Sequence, residues 1–459
     1  MPKRRIRHRL WHSGHVAILF VVVLLLAGCD ELMSVAQRFL LNTNDIIVEQ
    51  RPDPAYEQLF PYYVELCTLS QWSRVDGSRR GNPFGHAVMY IKGACKDDDA
   101  PYPRLRRCRG VTTSVDDPEH GAGISVGQWF RNVNWVAVPG HHLFYDGDLA
   151  PGERLTQTRL DSTVEEAMDR GVFDGVEFHD GWVTGEDRSL RRYITEWSIG
   201  TDFALQFSRN LYCARLPVTG PMLDEIIAFL NDKNTEYATG EADYNWNVLA
   251  NNCVHTLRNA LAAANVWAPM SVRQIKLRHL FNLAVPANAF VDLAILGTSE
   301  NIADYEEIME DDAGRDALHD FRWLPTRHGA LVKALPVHSP NDIYTTDFQL
   351  FTVQSPFSMR ATQHAVRLMS EPRYTDLETN LRFFRDIYTA AIERHDYVRE
   401  PLASVRGSPF RRVERLDLDY LRTQLQDVDD KLRLLDDPTA AERGDAAEPP
   451  STGEARAPE

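Results

Sequence analysis

The sequence predicts an α+β protein: a mixed strand-and-helix domain over residues 61–270, followed by a mainly helical region over 271–436. Three observations carry this. Short runs rich in apolar and aromatic residues read as strands at 84–91, 121–130, 133–138 and 211–218, the third stopped by Pro139-Gly140. Directly after the last run, Leu223, Ile226, Ile227 and Leu230 recur at i, i+3, i+4 and i+7, one apolar helical face, with Thr219 as its cap and Pro221 in its first turn. Past residue 271 the spacing is helical again, over 377–391 and through Leu418, Leu421, Leu425, Val428, Leu432 and Leu435. That last seam covers only about two heptads, so it reads as a helix docking on its own domain rather than a coiled coil.

The N-terminus precedes any of this. Lys3, Arg4, Arg5, Arg7 and Arg9 form a basic start, and an apolar run from Val16 to Leu26 follows, too short to span a bilayer but suited to a signal peptide. It ends in Leu26-Ala27-Gly28-Cys29, which resembles the lipobox cut by lipoprotein signal peptidase. The expectation is removal of residues 1–28, lipid on Cys29, and a tether over 29–60 that holds the chain at a membrane and faces it into the cell envelope. An uncleaved anchor helix or an ordinary signal peptide would place the remaining chain outside the cytoplasm equally. Asp30 resembles the enterobacterial signal for inner-membrane retention, which favours the inner membrane over the outer. Residues 437–459 are dominated by Pro, Ala, Glu, Gly and Ser without apolar periodicity and read as a disordered tail.

Composition narrows the partners. The 459 residues carry 50 Lys and Arg against 66 acids, and 43% are hydrophobic, ample for a globular core. Loss of the five basic residues ahead of Cys29 leaves 45 against 66, a net charge of −21. Such a surface suits neither nucleic acid nor a direct grip on anionic lipid, which leaves membrane attachment to the lipid on Cys29. Cys67, Cys95, Cys108, Cys213 and Cys253 then remain, an odd number in an oxidising compartment, so one thiol stays free or pairs between molecules. Cys95 and Cys108 flank a polar, Pro-containing loop and are the easiest pair to close. Cys67 with Cys213 follows by elimination, although connectivity is not fixed by sequence.

The cysteine left over sits in a suggestive place. In Tyr244-Asn245-Trp246-Asn247-Val248-Leu249-Ala250-Asn251-Asn252-Cys253, either Asn251 or Asn252 is a good cap, and Cys253, Leu257, Ala260, Leu261 and Ala264 share one helical face. A cysteine in a first helical turn lies among unpaired N–H groups at the positive end of the dipole, which favours thiolate, and backbone N–H groups near 252–254 suit an oxyanion. An imidazole nearby would lower the thiol further and later protonate the leaving group. His86, at the head of the first strand, supplies one. Taken singly, Cys253 reads equally well as a buried neighbour of a cap and His86 as a satisfied strand histidine. It is the combination with the cysteine arithmetic that points to catalysis. No metal or cofactor is implied: Cys253-Val254-His255 is a weak metal pattern, with His255 expected to point away from the thiol, and His141-His142 follows Pro139-Gly140 as a loop feature.

Asn-Pro-Phe-Gly-His-Ala at 82–87 resembles the Phe-Gly-His segment of the Lnb N-terminal periplasmic domain family, and Asn-Asn-Cys at 251–253 with Thr-Leu-Arg-Asn-Ala-Leu at 256–261 resembles that family's cysteine helix. The strand–helix pair at 211–231 precedes it in the same order. The resemblance spans residues 60–270 and departs from the pattern at Val254-His255. It implies a circularly permuted papain-like (NlpC-type) domain, with the histidine strand before the cysteine helix. It also implies acyl transfer from phospholipid to a lipoprotein amine through a cysteine thioester, with Cys253 as nucleophile and His86 as base and acid. In such sites a polar residue on the neighbouring strand orients the imidazole. Gln128 or Ser125 is placed for this on strand 121–130, and Gln128 is the choice, while Glu119 and His120 at the other end lie farther away. Trp129, Trp135, Phe144 and Trp246 are candidates for an acyl groove, though core packing is the commoner use of such residues. Two other functions fit the same machinery: a peptidoglycan amidase or endopeptidase with a polar open groove, and a non-catalytic envelope binding module with an obstructed or bridged Cys253.

Overall fold

A computed structural model describes residues 54–69, 73–74, 85–110, 120–298 (except 148, 151, 184, 249 and 273–283), 328–345, 359–393 and 418–436. The expected signal peptide, Cys29, most of the tether, Asn82 to Phe84 and the tail 437–459 lie outside the described residues. Among the described residues no helix is long and apolar enough to cross a membrane.

The elements run α1 (Pro54–Leu59), β1 (Tyr63–Leu69), β2 (Ser73–Arg74), β3 (His86–Lys92), β4 (Ala94–Lys96), β5 (Leu105–Arg107), β6 (Gly121–Val126) and β7 (Trp135–Pro139). Helices α2 (His141–Tyr145), α3 (Gln157–Asp169) and α4 (Leu190–Tyr193) follow, the last running into a π turn at Ile194–Ser198. Then come β8 (Leu211–Pro217), α5 (Gly220–Ala238), α6 (Cys253–Ala263), α7 (Pro286–Gly297), β9 (Leu331–Leu335) and β10 (Tyr344–Thr345). The last of the described elements are α8 (Met359–Leu368), α9 (Pro372–Thr375), α10 (Leu377–Glu393) and α11 (Leu418–Asp436). The fold class is α+β, built on a six-stranded sheet in the order β7-β6-β3-β1-β8-β9 with every neighbouring pair antiparallel.

Strand β1 is interior and buried along its whole length, so it lacks the polar–apolar alternation of a half-exposed strand. Its polar residue Glu65 is tolerated because Arg215 of β8 and Lys333 of β9 reach its carboxylate at 2.5 and 2.8 Å, and the Tyr145 hydroxyl donates to it at 2.5 Å. Burial alone would raise the Glu65 pKa, but these cations hold it down at about 2. A second buried group lies alongside, where Glu57 meets Lys92 at 2.8 Å and His120 at 3.3 Å. Register sets Cys67 of β1 opposite Cys213 of β8, and the two form a disulfide, as do Cys95 and Cys108 across the β4–β5 hairpin.

Helices α5, α6 and α7 cover one sheet face. Thr219 caps α5 by accepting from the Met222 N–H, and Leu223, Ile226, Ile227 and Leu230 are the side chains it buries. Trp135 of β7 donates its indole N–H to Leu230 O at 2.8 Å, and Tyr212 of β8 packs against Phe290 of α7. The opposite face is covered by α2 and the segment leading to β8: a Cβ on Gly123 would lie 1.9 Å from the Phe144 ring.

The sheet does not end at residue 270, where a domain boundary was expected. Edge strand β9 comes from 331–335 and pairs with β8, and α7 packs on β1 and β8, so part of the 271–436 region completes the same sheet. Helix α11 lies against α10 and α1, burying Leu421, Val428 and Leu432, each worth roughly 1.5–3 kcal/mol. His328, just before β9, bonds Asp427 of α11 at 2.8 Å, and Asn380 of α10 accepts the Gly329 N–H at 2.7 Å.

Candidate active site

His86 opens β3 opposite Leu69 of β1. The residue before it has to be glycine. Gly85 has φ +69°, and a Cβ there would lie 2.1 Å from the Leu69 carbonyl oxygen. Strand alternation then puts His86 and Val88 on one face, and Ser125 pairs with Val88 from β6. The His86 Nε2 and Ser125 Oγ are 3.0 Å apart. Ser125 Oγ lies in turn 2.7 Å from Thr201 O and 2.8 Å from Asp202 Oδ1.

Ser125 therefore takes the place expected of Gln128, which is a correction. Strand β6 stops at Val126. Gly127 follows under the Phe130 ring, which would lie 2.4 Å from a Cβ, and the chain then turns, leaving Gln128 exposed. Asp202 had no signal in the sequence, because it sits in an irregular turn. That turn is set by an Ile199–Phe203 bridge, by the Asp202 N–H donating to Ser198 O at 2.9 Å, and by Gly200 at φ +75°, where a Cβ would lie 1.8 Å from Ser208 Oγ. Asp202 and the nearby Arg209 are both 3% exposed. Burial pushes Asp202 up to about 6, against the pull of Ser125 and Arg209, and pushes Arg209 down to about 9, against the pull of Asp202. Burial, then Arg209, pushes the His86 imidazole down to about 3, so it is neutral in the resting protein.

Cys253 is the first residue of α6, and Asn252 caps the helix from an extended conformation. The Asn252 Oδ1 accepts from Val254 N–H at 2.9 Å and His255 N–H at 3.3 Å, while its Nδ2 donates to Val248 O and Ala284 O at 2.8 Å each. His255 Nδ1 lies 3.3 Å from Asn252 N and closes the capping box from the N3 position. His255 thus serves the cap rather than the thiol. The cap also consumes most of the expected oxyanion donors. Val254 N–H is taken by Asn252 and Asn252 N–H faces His255, which leaves Cys253 N–H as the one of the three outside the cap.

Among the described residues Cys253 is the one free cysteine, 5% exposed, with Sγ at the N–H of Ala87, the residue after His86. Thiol and imidazole thus converge on the start of β3, the helix coming from one sheet face and the His86 ring lying on the other with Ser125. Among the described residues no hydrogen bond joins Sγ to His86. The thiolate expected from the helix terminus does not form at rest: burial pushes the Cys253 thiol up to about 11, outweighing the Ala87, Val254 and Cys253 N–H groups that pull it down.

Protein families, characterised proteins and solved structures offer no match to this chain. The chemistry of the site rests on its own residues. The aromatic candidates divide. Trp135 and Phe144 are fully buried core, while Trp129 and Trp246 are partly buried against it. His141 is buried at the start of α2, its ring 4.3 Å from that of Tyr145 and 5.1 Å from that of Tyr90. Glu65, Cys67 and Cys213 place their donor atoms within 4.8 Å of one another, but the disulfide leaves no thiolate there for a metal.

Proposed function

We propose that this chain is a thiol acyl-transfer enzyme of the cell envelope, anchored through lipid on Cys29, with Cys253 as nucleophile and His86 as base and acid. The observation that supports it is the free thiol at the first position of α6, its Sγ at the N–H that follows His86. The order of histidine strand and cysteine helix fits a permuted papain-like architecture and the resemblance to the Lnb N-terminal periplasmic domain family. With Nε2 bound to Ser125, the other ring nitrogen, Nδ1, is the one left for the thiol.

In the first step the His86 ring, which makes no bond to Sγ at rest, must turn toward the thiol at the start of β3; Sγ then bonds the carbonyl carbon of a phospholipid ester as the thiol proton passes to His86 Nδ1. The ester C–O bond then breaks, and the departing alcohol oxygen takes that proton from His86. The Cys253 thioester passes its acyl group to a lipoprotein amine or to water, with His86 accepting and returning one proton. The N–H of Cys253 faces the developing oxyanion.

The burial of Cys253 and the missing Cys–His bond favour a second reading, a non-catalytic envelope binding module. The two separate on acyl trapping. The soluble protein, made without its signal peptide and with Cys29→Ala, is incubated with phosphatidylethanolamine vesicles, quenched in acid and weighed intact. A hydroxylamine-labile acyl adduct is expected on the parent protein, absent in Cys253→Ala and reduced roughly a hundredfold in His86→Ala. Folded protein that never acquires the adduct leaves the binding-module reading. Cleavage of muropeptides in place of lipid would reassign the substrate to peptidoglycan.

A further inference from the structure

We propose that Asp202 is a positioning residue for His86, acting through Ser125 to fix which nitrogen of the imidazole carries the proton. The inference rests on the thiol-enzyme reading for its catalytic meaning, but its geometry stands apart from it. Ser125 has one hydroxyl proton, and two acceptors lie within reach of it, Thr201 O at 2.7 Å and Asp202 Oδ1 at 2.8 Å. A carboxylate and a carbonyl can only accept, so the Ser125 proton is committed to them. What Ser125 Oγ offers His86 at 3.0 Å is therefore a lone pair, and Nε2 must be the protonated nitrogen. Nδ1 is left unprotonated, the form a base requires.

Asp202 is mainly ionised at neutral pH: burial lifts it only to about 6, against the pull of Ser125, Ser198 and Arg209. Arg209 faces it and also faces His86, Ser198 accepts its N–H, and Tyr193 of α4 carries the remaining nearby titratable group. A buried carboxylate with Arg209 as its cationic neighbour keeps its acceptor character at neutral pH, and Arg209 disfavours a second cation on the imidazole. Thr201 O holds the serine proton by itself only as a neutral acceptor. The charged oxygen is the stronger of the two.

The test reads the tautomer directly. Protein labelled with nitrogen-15 in histidine gives a long-range proton–nitrogen correlation pattern that distinguishes Nε2–H from Nδ1–H, with the His86 signals assigned by their loss in His86→Ala. The parent protein is expected to show Nε2–H. Asp202→Asn removes the charged acceptor and leaves Thr201 O alone to hold the hydroxyl proton, and is expected to weaken the preference for Nε2–H and admit a share of Nδ1–H. Ser125→Ala removes the partner and is expected to mix the two forms, which keeps the proposal testable should Asp202→Asn fold poorly. Both variants should slow acyl-adduct formation by tenfold or more, and the double variant should be no slower than Ser125→Ala, since residues acting in series are not additive. An Nδ1–H ring in the parent protein, or a His86 pattern unmoved by either change, overturns the proposal whatever the protein acylates. If the tautomer shifts as expected but no variant ever forms an adduct, the relay stands and the enzyme reading falls.

Discussion

Burial, rather than the helix terminus, sets the resting state of Cys253, and this gives a measurable rate. At pH 7 a thiol with the ordinary value of 9.0 is about 1% ionised, whereas one pushed up to about 11 is about 0.01% ionised, a difference of about a hundredfold. Thiolate is the species that alkylates, so iodoacetamide should modify Cys253 in the folded protein about a hundredfold more slowly than in the urea-unfolded chain, before any further loss from poor access. The assay is the second-order rate from about pH 6 to about pH 10, read by mass spectrometry on protein with both disulfides intact. The logarithm of the rate should climb with unit slope and without a plateau. His86→Ala should leave that curve in place, because the imidazole is neutral and makes no bond to Sγ. On the proposed mechanism its effect would appear in acylation, where the proton must move. A plateau near neutral pH that disappears in His86→Ala would show a preformed thiolate–imidazolium pair and refute this account of the site.

Acid should loosen the fold through Glu65. Burial raises its pKa, but Arg215 and Lys333 outweigh it, and the drop from 4.5 to about 2 is worth about 3 kcal/mol. A depressed folded value means stability present above about pH 4.5 and lost as the pH falls toward about 2, a slope that Glu65→Gln should flatten in urea titrations. That variant should also cost about 3–5 kcal/mol at neutral pH, by leaving two buried cations without their carboxylate. Asn252→Ala removes the α6 cap and both bonds from Nδ2, and should destabilise by about 3 kcal/mol in the same titrations, with Asn252→Asp losing less because it keeps the acceptor. Gln128→Ala should leave acylation within about twofold of the parent, since an exposed turn residue touches neither His86 nor Cys253.

The sequence displayed these features unevenly, for physical reasons. Helix α5 was legible because its apolar spacing, cap and first-turn proline all agree, and the cap of α6 because asparagine before a helical run has few other uses. Strand β1 escaped notice: an interior strand has no alternation, and Glu65 interrupts its apolar run with a charge whose partners lie about 150 and 270 residues away, at Arg215 and Lys333. The apolar pattern points to Gln128 over Ser125 because it continues to Phe130, four residues past the strand end at Val126, and the stop is set by Phe130 closing over Gly127. Asp202 reaches the site from a turn with no periodicity, and only tertiary structure brings it there.

If the chain is exported as proposed, the order of its cysteines bears on how the Cys253 thiol stays free. Emerging N-terminus first into an oxidising compartment, it would present Cys67, then Cys95 and Cys108, whose separation of 13 residues favours early pairing. Cys67 waits until β8 arrives beside β1 and brings Cys213, 146 residues later. Cys253 would follow only after that, when the other four cysteines among the described residues could already be paired, and it is enclosed at the start of α6. On the proposed envelope reading, vectorial delivery would shield the cysteine proposed as nucleophile, and a circular permutant that presents Cys253 before Cys213 is expected to form mispaired disulfides that non-reducing peptide mapping would reveal.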